Sequence, residues 1–193
     1  MKVSVGVSNR HVHLKQEDLY ILFGNDFELE SIKSLNQPGQ FMSSSKVTIK
    51  TKKSEFNDVR VVGPTRDYTQ VEISKSDAIK LGLNPPVRTA GDLIGSEAIT
   101  IIGPKGKVDL NYGCIIADRH IHITPKQMEM YGLSGKDKVN VLVNGEKGGI
   151  IFDVDLKVAE ASYFELHLDT DDANAHLIKN GDIVEILDGD NNV

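Results

Sequence analysis

The chain has 193 residues and a formal net charge of −6, with 39% hydrophobic and 26% charged residues. These values are typical of a globular protein with one large or two small domains, and the negative charge argues against a nucleic-acid binder. A single cysteine, Cys114, excludes an intramolecular disulfide and fits a reducing compartment. Because no apolar run reaches membrane-spanning length and no signal peptide is evident, we expect a cytoplasmic protein with no membrane partner.

The first half of the chain alternates strand and helix signals. Its patterns predict, in chain order, a strand over residues 2–14, a helix over 15–24, an irregular polar segment over 25–45, a hairpin over 46–63, a strand over 70–74, a helix over 75–82 and a loop over 84–88. Ser74 is the predicted N-cap of the second helix, and Gly24 and Gly82 end the two helices.

The second half repeats this order. Its patterns predict a hairpin over residues 98–110, a strand over 113–123, a helix from 124 to 132, a hairpin over 137–158 that turns at 144–145, and then strand, helix and strand over 163–187. Thr124, Pro125 and Gln127 form a capping box with proline at the first helical position, and Thr170 is the predicted cap of the last helix.

The repeated order indicates an internal duplication. Many short strands with few helices predict a mainly β protein with short α-helices, an α+β fold built as two related small β-barrel domains. We place the first domain at residues 1–105 and the second at residues 106–193. Strand edges on small barrels need covering, and a homodimer is one way to cover them.

Each half contains a pair of histidines separated by one residue. His11 and His13 lie in RHVHL, and His120 and His122 lie in RHIHI. In a strand the two side chains of such a pair point to the same face, and neutral imidazole is a common ligand for zinc-like metals. A random arrangement of six histidines gives roughly 0.2 such pairs, so two in matched contexts favour metal binding over surface histidines on an edge strand.

Two histidines are too few for a tight site, and two further residues could complete the coordination. Glu72 and His167 each lie in the middle of a predicted strand, where spacing alone favours a solvent-facing side chain. If they join the pairs, the sites become His₂Glu and His₃, which are ligand sets of catalytic zinc with an open position. His176 lies in a polar helix and is interpreted as a surface residue.

Several cations could hold an anion near these sites. Arg66 lies in a Gly-Pro turn six residues before Glu72, and its planar fork suits phosphate. Arg10 and Arg119 each precede a histidine pair and would point away from the histidine face, which indicates ion pairing or structural support. Taken alone, Lys53 and Arg60 would be solvated charges on a hairpin.

Five blocks of sequence, in this order, resemble the PduL-type phosphotransacylases, the phosphate propanoyltransferases, over nearly the whole chain. The blocks are VSNRHVHL, GPTRDYTQVEIS, RTAGDL, ADRHIHITP and ELHLDTDDANA. The resemblance implies two β-barrel domains with helical caps, and transfer of a propanoyl or acetyl group between coenzyme A and phosphate, with acyl phosphate as the other partner. It also implies two zinc ions. Since a coordinating cation deprotonates a bound thiol, we hypothesise that one of these ions activates coenzyme A as a thiolate.

The same resemblance assigns residues to roles. The first zinc would be held by His11, His13 and Glu72, and the second by His120, His122 and His167. Arg66 would be the catalytic contact to phosphate. The coenzyme A site would be lined by Val7, Ser8, Asn9, Lys53, Arg60 and Asn174.

Two other classes of protein fit the histidine pairs: a non-catalytic metal-binding module, and a zinc hydrolase whose open position holds water. A metal-binding module does not explain Arg66 or a ligand set that leaves a coordination position open, and an assay of the products separates a hydrolase from a transferase. Some members of the family carry an N-terminal extension that directs them into bacterial microcompartments, where they serve propanediol degradation. This chain begins at its first predicted strand, so we expect a cytoplasmic enzyme, with the lumen of a microcompartment as the alternative.

Overall fold

The computed structural model describes residues 1–187, which contain fourteen strands and four short helices. The strands are β1 Lys2–Ser8, β2 His11–His13, β3 Ser31–Ser34, β4 Phe41–Lys50, β5 Glu55–Gly63, β6 Gln70–Glu72, β7 Val87–Arg88, β8 Glu97–Ile102, β9 Lys107–Ala117, β10 His120–Ile123, β11 Lys138–Val143, β12 Gly149–Val158, β13 Glu165–Asp169 and β14 Ile183–Leu187. The helices are α1 Gln16–Phe23, α2 Lys75–Leu81, α3 Pro125–Met130 and α4 Thr170–Ala175.

The first of two compact units spans Asn9–Ala117 and forms a closed barrel of six strands. Around the barrel the order is β4, β5, β2, β6, β9 and β8, with β8 pairing back to β4. The short strands β3 and β7 add to β4 and β9. The interior is packed with aliphatic side chains, among them Val12, Val61 and Val71, which are fully buried.

The second unit combines Met1–Ser8 with the described residues from Asp118 onward, and it is also a closed barrel. Its order is β11, β12, β10, β13, β1 and β14, with β14 pairing back to β11. Around both barrels, parallel and antiparallel strand pairs follow one another in the same order. The prediction of a mainly β protein with two related small barrels is therefore confirmed.

The strand that precedes each histidine pair belongs to the other unit. β1 leads into the His11 strand of the first barrel but is itself a strand of the second, and β9 leads into the His120 strand but completes the first. The chain therefore passes between the units after Ser8 and after Ala117. The sequence patterns from which we placed the boundary between residues 105 and 106 do not indicate this exchange of strands.

Local signals position three of the four helices. Ser74 accepts a hydrogen bond from the backbone N–H of Asp77, and Gly82 ends α2 in the left-handed conformation, as predicted. The capping box at Thr124 is present in α3. In α4 the cap is Asp169 rather than Thr170, because the Asp169 carboxylate accepts from two backbone N–H groups of the first turn.

Three segments differ from the sequence-based expectation. The segment predicted to be irregular contains β3 and the start of β4, and both long strands that include a histidine pair are interrupted immediately before the pair. The start of β4 was missed because Ser43 and Ser45, both buried, replace the apolar residues of the alternating pattern. Ser43 satisfies its hydroxyl by donating to the carbonyl of Val61 at 2.7 Å.

Candidate metal centres and active site

His11, His13 and Glu72, here called the first triad, converge on the outer face of the first barrel. β2 and β6 run antiparallel with His11 opposite Glu72, while the intervening Val12 points into the core. The Nε2 atoms of the two histidines lie 3.2 Å apart. Glu72 Oε2 lies 3.5 Å from Nε2 of His11, and Oε1 lies 3.8 Å from Nε2 of His13.

The hydrogen bonds of the imidazole rings leave lone pairs facing one another in the first triad. Nδ1 of His11 lies 2.9 Å from the carbonyl oxygen of Asn9, and Nδ1 of His13 lies 3.2 Å from that of Val62. Because a carbonyl only accepts, both Nδ1 atoms carry the proton in the neutral rings, and both Nε2 atoms present lone pairs. Two such lone pairs and a carboxylate at these distances form a set of acceptors that suits a divalent cation.

His120, His122 and His167 form the second triad at the equivalent positions of the second barrel. Nε2 of His120 lies 3.2 Å from Nε2 of His122, and Nδ1 of His120 lies 2.8 Å from the carbonyl oxygen of Asp118. The His167 ring is centred 4.6 Å from that of His122. Burial is the main cause that lowers the pKa of His122 to about 2, with further contributions from His167, His120 and Lys157, so this ring stays neutral.

Both triads fit a small divalent cation. Zinc binds imidazole nitrogen at about 2.0–2.1 Å, and a tetrahedral angle then separates two nitrogens by roughly 3.3 Å. The observed separation is 3.2 Å in each pair. The backbone carbonyls behind Nδ1 of His11 and His120 are the orienting partners usual for metal-binding histidines. Each triad offers three ligands, which leaves room for a further ligand on the cation.

Arg66 is fastened to the residue that follows the first histidine pair. Its backbone N–H donates to the carbonyl of Leu14 at 2.9 Å, directly after His13. Its guanidinium donates to the hydroxyl of Tyr68 at 3.1 Å and is partly buried. The backbone of Arg66 therefore lies beside the end of the strand that carries His11 and His13.

Two further predicted residues lie in the first barrel. Arg60 is the lateral neighbour of His11 across the β2–β5 pairing, and its guanidinium donates to the carbonyl of Ser43 at 2.8 Å. Lys53 lies in the β4–β5 turn and donates to the carbonyl of Ile79 at 3.0 Å, near the C-terminal end of α2. Their roles in binding coenzyme A remain predictions.

The other predicted coenzyme A residues lie at the ends of strands and on α4. Val7 and Ser8 end β1 in the second unit, and Asn9 follows at the start of the first. Asn174 is exposed on α4. These assignments also remain predictions.

The structure adds partners that the sequence analysis missed. Gln70, opposite His13, donates to Glu72, and Glu165, opposite His122, lies 2.9 Å from Nε2 of His167. Both residues are buried and sit two positions before the third candidate ligand. The only available signal was strand alternation, which places residues i and i+2 on one face without saying which strands are neighbours.

Arg10 and Arg119 have carboxylate partners, which agrees with the ion pairing predicted for side chains that point away from the histidine face. Arg10 makes two hydrogen bonds to Asp77, at 2.7 and 3.0 Å, and stacks on Phe56. Arg119 lies 3.8 Å from Asp172. The two carboxylates occupy the same position in α2 and α4, five residues after the third candidate ligand.

Cys114 is not a candidate for a catalytic nucleophile. It is fully buried in the interior of the first barrel, and burial, with the charge of Glu97, raises the pKa of its thiol to about 12. A thiol in that state is not a nucleophile at neutral pH. Within residues 1–187, no helix is long and apolar enough to cross a membrane.

The fold and the triads define a two-barrel protein with one histidine-rich candidate metal site on each barrel. Residues 4–179 match the family model described as phosphate propanoyltransferase, and the chain belongs to that family. It is 50% identical over 187 residues to a phosphate propanoyltransferase of Thermotoga maritima, which covers 96% of this chain and 89% of the relative. It is 46% identical to one from Rhodopseudomonas palustris, which covers 96% of this chain and 82% of that relative. Family membership supports phosphate acyltransferase activity.

Proposed function

We propose that this chain catalyses the reversible transfer of a propanoyl or acetyl group between coenzyme A and phosphate, at a zinc-dependent site in the first barrel. The observation that carries the proposal is the convergence of three acceptor atoms of the first triad, with the backbone of Arg66 hydrogen-bonded to Leu14, the residue after His13. In the family to which the chain belongs, these features fit a reaction of a thiol with an acyl phosphate.

The thiol of coenzyme A is the group that needs activation. A free thiol has a pKa of about 8.5 and is mostly protonated at neutral pH. A divalent cation held by the first triad supplies the positive charge that lowers this pKa and favours the thiolate. His11 and His13 hold their ring orientation through backbone carbonyls, so the ligand atoms are preorganised before the substrate arrives.

Arg66 is assigned to the phosphate. Its guanidinium can donate two parallel hydrogen bonds to a phosphoryl group, and its anchor on Leu14 fixes the backbone from which it reaches. In the forward direction the sulfur forms a bond to the carbonyl carbon, and the bond from that carbon to the phosphate oxygen breaks. The leaving phosphate keeps the electron pair and is stabilised by Arg66. The reverse reaction uses the same groups, with phosphate attacking the thioester.

The second triad is proposed to hold a second zinc ion in the other unit. Its three ligands are imidazoles, and the low pKa of His122 keeps at least this ring unprotonated and able to bind a metal at neutral pH. Two zinc equivalents per chain are therefore expected after purification without chelators.

A coupled assay tests the proposed function. The protein is incubated with coenzyme A and acetyl or propanoyl phosphate, and thiol consumption, thioester formation and phosphate release are followed together. We expect thioester and phosphate in equal amounts, and loss of both after metal removal with recovery on adding zinc. Phosphate without thioester would instead identify a hydrolase, and neither product would identify a metal-binding module.

A further inference from the structure

Each triad is part of a square of four side chains on two neighbouring antiparallel strands. In the first barrel His11 lies opposite Glu72 and His13 lies opposite Gln70. In the second barrel His120 lies opposite His167 and His122 lies opposite Glu165. The fourth corner of each square is therefore the residue two positions before the third candidate ligand, and side chains directly opposite in an antiparallel pair are close enough to interact.

The orientation of the Gln70 amide is determined by its two partners. The backbone N–H of Gly91 lies 2.8 Å from one end of the amide, and a backbone N–H can only donate, so this end is Oε1. The other end, Nε2, then donates to Oε1 of Glu72 at 2.6 Å. With that oxygen engaged, Oε2 of Glu72 is the one turned toward His11, at 3.5 Å.

Gly91 belongs to the RTAGDL block, so this network also gives that block a function. Gly91 adopts a φ of 95°, a conformation that L side chains rarely adopt, and a Cβ there would lie 3.4 Å from the ring of Tyr68. Tyr68 is in turn the hydrogen-bond partner of Arg66. The loop therefore reaches the carboxylate of the first triad through Gln70 and the phosphate-binding arginine through Tyr68.

Glu165, at the equivalent corner of the second square, offers a hydrogen-bond acceptor where Gln70 offers a donor. Its Oε2 lies 2.9 Å from Nε2 of His167, and a metal-binding histidine usually donates its other ring N–H to such an oxygen, so Nε2 is assigned as the donor. His167 then presents the lone pair of Nδ1, whereas His120, whose Nδ1 faces a backbone carbonyl, presents Nε2. Room for this pair comes from Gly6 on β1, where a Cβ would lie 3.0 Å from the Glu165 carboxylate and 3.1 Å from the His167 ring.

We propose that Gln70 and Glu165 are equivalent positioning residues, each of which selects the ligand atom that its triad presents to a divalent cation. Gln70 donates to a carboxylate ligand and leaves Oε2 of Glu72 for the metal. Glu165 accepts from an imidazole ligand and leaves Nδ1 of His167. This inference rests on the proposed metal sites, and it adds the prediction that His167 binds through a different ring nitrogen from His120.

Isosteric exchanges separate positioning from packing. Gln70→Glu keeps the acceptor for Gly91 but replaces the donor to Glu72 with a second carboxylate. We expect the zinc affinity of the first site to fall by about 10- to 100-fold, measured by chelator competition, with the second site unchanged. Glu165→Gln keeps an acceptor for His167 and should weaken only the second site, by less than about tenfold, whereas Glu165→Leu should weaken it by about 10- to 100-fold.

The ring nitrogen of His167 is read directly by nitrogen NMR of the zinc-loaded protein. We expect a protonated Nε2 in the wild type and in Glu165→Gln, and loss of this preference in Glu165→Leu. Unchanged zinc affinity in both Gln70→Glu and Glu165→Leu, or an unprotonated Nε2 in the wild type, would overturn the proposal. A wild-type protein that binds no zinc would instead overturn the proposed metal sites, so the two failures are distinguishable.

Discussion

The two barrels share their strand pairing and differ in the chemistry placed on it. Both have a histidine pair opposite the strand that carries the third candidate ligand, and both receive one strand from the other half of the chain. The first barrel puts a carboxylate at the third position and the second puts an imidazole there. A shared backbone therefore supports two ligand sets of different charge.

The charge difference between the two ligand sets is reduced by the fourth residue of each square, Gln70 or Glu165. In the first triad the carboxylate is a candidate ligand, Glu72, and its hydrogen-bond partner is the neutral amide of Gln70. In the second triad the three candidate ligands are imidazoles, and the carboxylate of Glu165 is the hydrogen-bond partner of His167. Each square thus holds one carboxylate, either as a ligand or one hydrogen bond away. A directly bound carboxylate reduces the effective charge of a cation more than an outer one, because the interaction energy falls with distance.

The barrels also differ in the residue that precedes the third candidate ligand by six positions. Six residues before the third candidate ligand the first barrel has Arg66, whereas the second has Ala161. A cationic side chain is therefore present at this position in one copy of the duplicated unit and absent from the other. The difference favours the first barrel as the place where phosphate is handled.

Removal of one histidine from each triad should give the largest effects. His13→Ala and His122→Ala should each lose one zinc equivalent and retain the other, because each triad is built within one unit. We expect His13→Ala to lower kcat/KM by more than about a hundredfold, since a metal contributes several kcal/mol to such reactions. Metal analysis by mass spectrometry and the thioester assay measure both quantities.

A matched control uses a histidine outside both triads. His176 lies at the end of α4 with its Nδ1 3.1 Å from the carbonyl oxygen of Lys147. His176→Ala should keep both zinc equivalents and nearly full activity. Loss of both ions from His13→Ala would contradict independent sites.

Arg66→Ala should give the next largest loss. Removing a charge-assisted contact to the leaving phosphate should lower kcat by about a hundredfold, with a smaller effect on the binding of coenzyme A. Lys50→Ala is the control, since Lys50 is an exposed cation of the same barrel paired with Glu55 at 2.8 Å and has no assigned role in the site. Equal losses in the two variants would remove Arg66 from the site.

Two arginine–aspartate pairs, here called the first clamp (Arg10–Asp77) and the second clamp (Arg119–Asp172), predict a difference in stability. Arg10 is held by two short hydrogen bonds to the buried Asp77, so Arg10→Ala leaves a buried carboxylate without its partner and should cost roughly 2–4 kcal/mol. Arg119 is 3.8 Å from Asp172, and both side chains are about one-third exposed, so Arg119→Ala should cost less than about 1 kcal/mol. Urea unfolding of the metal-free proteins measures both. A cost for Arg119→Ala that equals or exceeds that of Arg10→Ala would contradict the comparison.

Local patterns in the sequence predicted the parts of this comparison that depend on neighbouring residues. The two faces of a strand place His11 with His13, and capping residues begin α2 and α3, because these features involve residues only a few positions apart. The pairing of Glu72 with His11, by contrast, depends on which strands become neighbours, because the two residues are 61 positions apart in the chain. Spacing favoured a solvent-facing Glu72, and only the resemblance to a family placed it among the ligands.

The exchange of β1 and β9 could not be predicted for the same reason. Each strand has an apolar alternation that suits either barrel, so the choice is made by long-range pairing rather than by its own residues. Gln70 and Glu165 were missed because a buried polar side chain in a strand is indistinguishable by pattern from an exposed one. Their burial becomes visible only when the opposing histidines are in place.

Gly6→Ala tests the second square with a smaller change. Gly6 is opposite His167 in the β1–β13 pairing, and the added methyl group would meet the carboxylate of Glu165 and the ring of His167. We expect about tenfold weaker zinc binding at the second site, with the first site unchanged. Gly149→Ala is the control, because its Cβ would meet only the ring of His176, at 3.2 Å. Equal affinities in the two variants would show that Gly6 is not required to make room for the pair.

The smallest expected effect is the pH dependence of the second clamp. Burial, followed by the charge of Asp169, raises the pKa of Asp172 to about 6, despite the opposing effect of Arg119. A carboxyl group with a raised folded-state pKa contributes stability that is present below its ordinary pKa of about 4 and is lost as the pH rises through 6. In the metal-free protein, Asp172→Asn should therefore match the wild type at pH 4 and be more stable at pH 8.

The expected change in stability at pH 8 differs in sign between the aspartate of α4, Asp172, and the aspartate of α2, Asp77. Asp172 is 32% exposed, so solvent screening limits the gain to about 1 kcal/mol at pH 8. Asp77→Asn, at the same position of α2, should have the opposite sign, because Asp77 is buried and accepts both hydrogen bonds from Arg10. Urea unfolding at pH 4 and pH 8 distinguishes them. If both variants are destabilised at pH 8, Arg119 and Asp172 form a stronger pair than their 3.8 Å separation indicates, and the two clamps are equivalent after all.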